Sequence, residues 1–401
     1  MVRPAERLLP RPRDVLGAFG IYVHVPFCTR RCWYCDFNAY AGLDHLAPQY
    51  MSALAEDARR ALSAPEPFGE RPVVTSVFFG GGTPSLVEPG LLTAVLDAVR
   101  ESWPVDPGAE VTVECNPESI DRDRLLAYRA AGVTRLSFGV QSLDDRLLAS
   151  LGRVHDAATA VGALVLARSV FERVSGDLIF GVPGEDDRTW RSSVEGLLSL
   201  GLEHMSCYGL TYEEGTPLHS WKRLGKVVPV DDDDSARRWE MTDDLLSARG
   251  LRRYEVSNWA VPGHECRHNQ LYWACGEYLG IGAGAHSHLA RPDGCTRSWT
   301  VKSPERYVRE VFRGASPVAG AEHVDAAGRA SEAMFLGLRR AGGVRSEEFQ
   351  ALTGLRLEDL FRAELERWSR AGLLRWEETG ARLTRRGTLL ANEVLASMLA
   401  G

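Results

Sequence analysis

The stretch Cys28–Phe37, CTRRCWYCDF, decides how the rest of the chain is read. Three of the chain's eight cysteines fall here with the spacing C-x3-C-x2-C, and Phe37 stands where a fourth cysteine of a C-x-C step would follow. Chance is a poor explanation for so tight a group. Structural zinc wants four ligands, usually in two paired spacings, and no second pair follows at the right distance, although His24 or His45 would complete such a site. Buried free thiols are the other plain reading. An iron–sulfur cluster fits better, because three thiolates around a four-iron cube leave one iron free to chelate a small molecule.

The other five cysteines, Cys115, Cys207, Cys266, Cys275 and Cys295, are scattered without framework spacing, as expected of a reducing compartment. At 401 residues, 44% hydrophobic and 25% charged, the chain has room for one large domain and one or two smaller ones. A net charge of −7 gives no electrostatic reason to expect a nucleic-acid backbone as main partner. No apolar run is long enough to span a bilayer. Residues 1–20, with four arginines and three prolines, read as a flexible arm rather than a secretory signal. The expected location is cytoplasmic.

Outward from the cysteines, one rhythm runs from Ile21 to Thr211. The apolar runs IYVHV, VTSVFFGG, EVTVEC, RLSFGV, SGDLIFG and HMSCYGL alternate with helical patterns. Six β-then-α units imply a parallel α/β sheet with right-handed crossovers, either doubly wound or a partial barrel. Gly80–Gly82, Glu114 and Gln141 fall near predicted strand ends, and Asp177 within one. Polar groups gathered at a C-terminal rim favour an incomplete six-stranded (β/α) barrel with a lateral opening, assigned to residues 21–230.

After Thr211 the rhythm breaks. Asp231–Asp234 reads as a solvated helix N-terminus, where the dipole favours negative charge. A linker region, residues 231–328, is expected to be loop-rich from Tyr254 to about Pro304 and contains HECRHNQLYW and GIGAGAHSH. There His264, Cys266 and His268 alternate like a short extended segment. Residues 329–401 read helix, short helix, helix, hairpin, helix, the order of a winged-helix-like domain. Winged helices often bind DNA and Arg385 and Arg386 are available, but the many acidic residues favour a packing or docking module without nucleic acid.

The cysteine spacing after a first strand, with GGGTPS after the second, resembles the radical S-adenosylmethionine superfamily. The resemblance implies a [4Fe-4S] cluster on Cys28, Cys32 and Cys35. It implies S-adenosylmethionine held by Tyr22, Gly81, Gly82, Thr83, Glu114, Gln141, Arg153 and Asp177. The fuller set IYVHVPFCTRRCWYCDF, FFGGGTPS, VECNP, GVQS, LGRVH and DLIFGVPG resembles one branch, the oxygen-independent coproporphyrinogen III oxidases and their haem-chaperone relatives, over nearly the whole chain. The oxidase pattern continues to a fourth cysteine and has a longer N-terminal extension; Phe37 and the 27 residues before Cys28 point to the chaperone side.

HNQLYW at His268–Trp273 matches the HNxxYW pattern associated with haem binding in that group. His268, Asn269, Tyr272 and Trp273 are therefore the haem candidates, with His286 and His288 ranked behind them. The bland alternative is a loop histidine bonded to backbone beside packing aromatics. The resemblance implies a haem carrier without coproporphyrinogen oxidase activity, delivering haem to client proteins, some at the membrane surface. No catalytic residue is assigned. A decarboxylating oxidase is the second reading.

Overall fold

A computed structural model describes residues 17–399; residues 1–16 of the expected N-terminal arm lie outside them. The apolar runs form strands β1 (Phe19–Val25), β2 (Val74–Gly81), β3 (Val105–Cys115), β4 (Arg135–Gln141), β5 (Arg173–Phe180) and β6 (His204–Gly209). Each is parallel to the next. Helices α1 (Ala47–Arg60), α2 (Pro89–Ser102), α3 (Arg122–Ala130), α4 (Asp145–Leu151), α5 (Ala157–Arg168) and α6 (Asp187–Ser199) fill the crossovers.

Period-two alternation gives these strands two unlike faces. One carries Val23, Val77, Phe79, Val113, Leu136 and Leu178, all buried in the main core with Leu54, Leu96, Leu125 and Leu197 of the helices. The other carries Tyr22, Ser76, Glu110, Glu114, Arg135, Ser137, Arg173, Asp177, His204 and Ser206. Polar groups on that inner face require partners, since an unpaired buried one costs about 1–3 kcal/mol. Those partners build the site.

The six-strand arc does not close. Two short strands, β7 (Arg252–Arg253) and β8 (Asn258–Ala260), extend it antiparallel beyond β6, preceded by α7 (Pro217–Arg223) and α8 (Asp232–Ala248). Helix α9 (Arg267–Trp273) then leads into β9 (Glu277–Ile281), which pairs parallel with the other side of β1. Strands β10 (His286–Arg291), β11 (Gly294–Thr300) and β12 (Val318–Asp325) continue antiparallel, with α10 (Pro304–Phe312) before the last. The open sheet has twelve strands in the order β12-β11-β10-β9-β1-β2-β3-β4-β5-β6-β8-β7.

Two expectations for this middle region need correction. It is not loop-rich: its strands are short and interrupted by glycine, which hides their period. His264, Cys266 and His268 are not an extended segment, because α9 begins at Arg267 and buries His268 and Leu271 three positions apart, the spacing of one helical face. The acidic run behaves as expected, with Asp231 capping α8 by accepting from the Asp233 amide at 2.8 Å.

The chain ends in α11 (Ala326–Gly337), β13 (Val344–Arg345), α12 (Ser346–Thr353), α13 (Leu357–Arg370), β14 (Leu374–Glu377), β15 (Gly380–Leu383), α14 (Arg385–Leu389) and α15 (Ala391–Ser397). Its three strands pair in the order β13-β15-β14, the helix–strand–helix–helix–hairpin order of a winged helix, around a second core built on Met334, Phe349, Leu365 and Leu395. Arg385 is tied to α8, 2.8 Å from Asp244 and bonded to the Glu240 carbonyl at 3.0 Å. That arginine serves packing between modules.

Candidate functional site

The C-terminal ends of the strands surround a cavity of about 510 Å³ lined by Cys28, Cys32, Cys35, Gly81, Gly82, Thr83, Glu114, Gln141, Arg153 and Asp177. Residues spread over 150 positions of sequence thus meet in one place. All three cysteines are free and partly exposed. Cys28 sits in a two-residue parallel ladder, Phe27–Cys28 with Tyr40–Ala41, which ties down both ends of the cysteine loop. Its Sγ lies 3.6 Å from Thr83 Oγ1, and Arg153 donates to Cys32 Sγ at 3.4 Å. Burial pushes the Cys28 thiol up and the Cys35 thiol to about 11, so a metal must displace the proton at these sites. Phe37, 61% exposed, stands at the mouth.

The glycine turn is dictated by its neighbours. Gly81 has φ +112°, and a Cβ there would meet the His24 ring. Gly82 needs glycine for a different reason: a Cβ would lie 2.6 Å from the Phe27 carbonyl oxygen, so the turn and the cysteine loop touch backbone to backbone. The amides are all used. Gly81 donates to Glu114 Oε2 at 3.2 Å, Gly82 to the Val25 carbonyl at 2.8 Å and Thr83 to the Phe27 carbonyl at 2.7 Å. What this turn offers an incoming group is carbonyl oxygen.

Glu114, penultimate in β3, is held up to about 7 by burial and by the nearby Asp177 charge. Asp177 accepts from the hydroxyls of Ser137 at 3.1 Å, Ser175 at 3.2 Å and Ser206 at 2.6 Å, and burial raises it too. Gln141 ends β4 with φ +69°, a conformation a non-glycine residue adopts only when its surroundings impose it. Arg153 is fixed by Asn116 Oδ1 at 2.8 Å and the Gly139 carbonyl at 2.7 Å, yet its buried Nε has no partner among the described residues.

Sequence reasoning missed Asn116 and the three serines. Asn116 joins the two halves of the cavity, donating to Thr83 Oγ1 at 3.1 Å and accepting from Arg153. Its position two residues after Glu114, hence on the same face, was the available signal. For the serines it was a polar residue on the same face of three neighbouring strands.

Tyr22 does not line the cavity. Its hydroxyl meets His24 Nδ1 at 3.0 Å, and its ring stacks on Phe78 at 6.3 Å and His268 at 6.5 Å. His24 gives its other nitrogen to the Asn38 carbonyl at 2.9 Å, so neither nitrogen is free to complete a zinc site.

The haem candidates sit at the opposite end of the inner face. Helix α9 lies across the N-terminal halves of β1 and β2, where Gly20 leaves room for Leu271 and His268. Glu110, paired with Arg173 at 2.9 Å, accepts from the His268 amide at 3.2 Å. His268 is 1% exposed: Nδ1 is 2.8 Å from Ser76 Oγ, Nε2 is 2.8 Å from the Tyr272 hydroxyl, and burial lowers its pKa to about 4. It is a neutral, doubly bonded core histidine. Asn269, Tyr272 and Trp273 are half-buried, and Arg339 of the last module lies 5.8 Å over the Trp273 ring. His286 is exposed.

Comparison with known proteins agrees with this arrangement. Residues 22–196 match the radical SAM superfamily and residues 324–390 the HemN C-terminal domain. The fold superposes on coproporphyrinogen III oxidase (HemN) from Escherichia coli with a TM-score of 0.80, covering 97% of this chain and 92% of that one at 20% identity. The chain is 41% identical to the heme chaperone HemW of Mycobacterium tuberculosis over 389 residues, 95% of each protein. It is 33% identical to the heme chaperone HemW of Escherichia coli, over 96% of this chain and 99% of that protein. Relatives at 33% and 41% identity match it over nearly the full length of each protein, and the chain belongs to the HemW family of the radical SAM superfamily.

Proposed function

We propose that this protein takes up haem and hands it to haem-requiring proteins, holding a [4Fe-4S] cluster on Cys28, Cys32 and Cys35 with S-adenosylmethionine beside it. The observation that carries the reading over the oxidase is Phe37: where the oxidase pattern has a fourth cysteine, an exposed ring stands at the mouth of the cavity. Near-full-length relatives named as haem chaperones support it. The reading places the work in the cytoplasm, with any membrane contact made through clients; among the described residues no helix is long and apolar enough to cross a membrane.

The cavity fits the cofactor pair. Three thiols face it, and its volume accommodates more than the cluster. When bound, the cluster supplies an electron and an open iron for the methionyl group. The carbonyls of the glycine turn suit the methionyl ammonium, and the guanidinium of Arg153, which lines the cavity, suits a carboxylate. Glu114, once ionised, accepts from ribose hydroxyls, while Asp177, filled by three serines, positions the layer beneath. Tyr22 acts from below through Phe78 and His24.

As placed, His268 has no nitrogen free for iron. Coordination of haem by it requires Tyr272 to leave Nε2 and α9 to move off β2; Asn269 and Trp273 form the part of the motif reachable beforehand. The test is anaerobic: titrate the cluster-loaded protein with haem by absorption, and assay the same preparation for coproporphyrinogen III conversion with S-adenosylmethionine and a reductant. Stoichiometric haem binding without conversion supports the proposal. Formation of protoporphyrinogen IX with release of deoxyadenosine overturns it in favour of the oxidase.

A further inference from the structure

Away from the cavity, Cys275, His288 and Glu332 bring one ligand atom each to within 4.8 Å of one another. They come from three different places: the turn leaving α9, strand β10 and helix α11. Cys275 is 3% and His288 6% exposed. The His288 tautomer is fixed, because Nδ1 faces the Gly276 carbonyl at 2.9 Å and can only donate to it. Nε2 therefore carries the lone pair, and it points at Cys275 Sγ, 3.8 Å away.

That separation is long for a hydrogen bond and close to the edge of a tetrahedral metal site, about 3.5 Å for ordinary zinc–sulfur and zinc–nitrogen bond lengths. A histidine whose far nitrogen donates to a backbone carbonyl is the usual support of a metal ligand. Cys275 has φ +55°, a left-handed conformation that is uncommon for a residue other than glycine. Arg297 holds Glu332 Oε1 at 2.5 Å and Glu322 at 2.9 Å, so the Glu332 carboxylate is anchored beside Cys275 and His288.

We propose that Cys275, His288 and Glu332 form a site for a zinc-class divalent cation, with water as fourth ligand, that pins the C-terminal module to the outer sheet and to the end of α9. One thiolate, one imidazole and one carboxylate select a borderline ion over magnesium or calcium, and the two anionic ligands balance its charge. Binding converts a contact between modules into coordinate bonds. The site is separate from the cysteine loop, and neither its ligands nor its test involves haem.

The test uses the full-length chain, loaded with its cluster, and a second full-length chain carrying Cys28→Ser, Cys32→Ser and Cys35→Ser, in which the cavity thiols cannot take zinc. Both are equilibrated with zinc, desalted and analysed for metal content and zinc X-ray absorption. The expected result is about one zinc per chain in both, with one sulfur and at least one imidazole in its shell, and an affinity at least about tenfold weaker in Cys275→Ser and His288→Gln. Zinc should also raise the melting temperature. Failure of both chains to retain zinc overturns the proposal, as does a shell without sulfur or an unchanged affinity in Cys275→Ser. If the substituted chains do not fold, the shell measured at the intact site still decides.

Discussion

The two ends of the inner sheet face present opposite solutions to the burial of polar groups. At the C-terminal end, three free cysteines, Arg153 and the glycine turn line a cavity of about 510 Å³. At the N-terminal end, Ser76, His268 and Tyr272 bond one another and Glu110 accepts from the His268 amide while pairing with Arg173, whose buried Nε is left over among the described residues. The first end is built to receive a group without moving. The second can receive one only by exchanging partners, a difference that, under the proposed function, separates a resident cofactor from a cargo that must leave again.

The contrast breaks most completely at the cysteines. Cys28→Ser should abolish the four-iron absorption after anaerobic reconstitution; a normal spectrum from that variant would overturn the ligand assignment. Gly82→Ala comes next, because its Cβ would press on the Phe27 carbonyl with no flexible side chain to yield. We expect cluster occupancy and S-adenosylmethionine binding to fall together, measured by iron content and equilibrium dialysis.

At the other end, His268→Ala strips a partner from both Ser76 and Tyr272 and should cost about 1–3 kcal/mol, read from denaturant unfolding. Loss of haem binding in that variant would not distinguish ligation from damage. Tyr272→Phe makes the distinction: it frees Nε2 while keeping the ring, so haem affinity should rise severalfold if His268 ligates iron. An affinity that stays the same or falls argues for another ligand.

The smallest effect concerns pH. Glu114, raised from an ordinary value near 4.5 to about 7, keeps its proton in the fold while the unfolded chain loses one. Its contribution to stability therefore falls as pH rises from about 4.5 to 7, and the ionised acceptor appears only at the upper end. S-adenosylmethionine should bind more tightly at pH 8 than at pH 6, and Glu114→Gln should flatten that dependence.

How much of this was legible follows from the range of the interactions. The cavity residues stand out in sequence because each is tied to a local signature, a strand end, a tight turn or a short cysteine spacing. The parallel six-strand arc was legible for the same reason, its apolar runs being long and regular. Strands β9 to β11 were not, since five to seven residues with glycine in or between them carry little period. The commitments of His268 were equally hidden: Ser76 lies 192 positions away and nothing in HNQLYW announces it. Helix α9 itself was obscured by three polar residues that happen to alternate just before and into its first turn.

Strand β1 carries the cysteine loop and lies between β2, close in sequence, and β9, which begins at Glu277. During synthesis one side of β1 stays an open edge until two thirds of the polypeptide has left the ribosome. The cysteine loop therefore hangs from a strand whose second neighbour arrives only with the last third of the chain, so its final seating is a late event in folding.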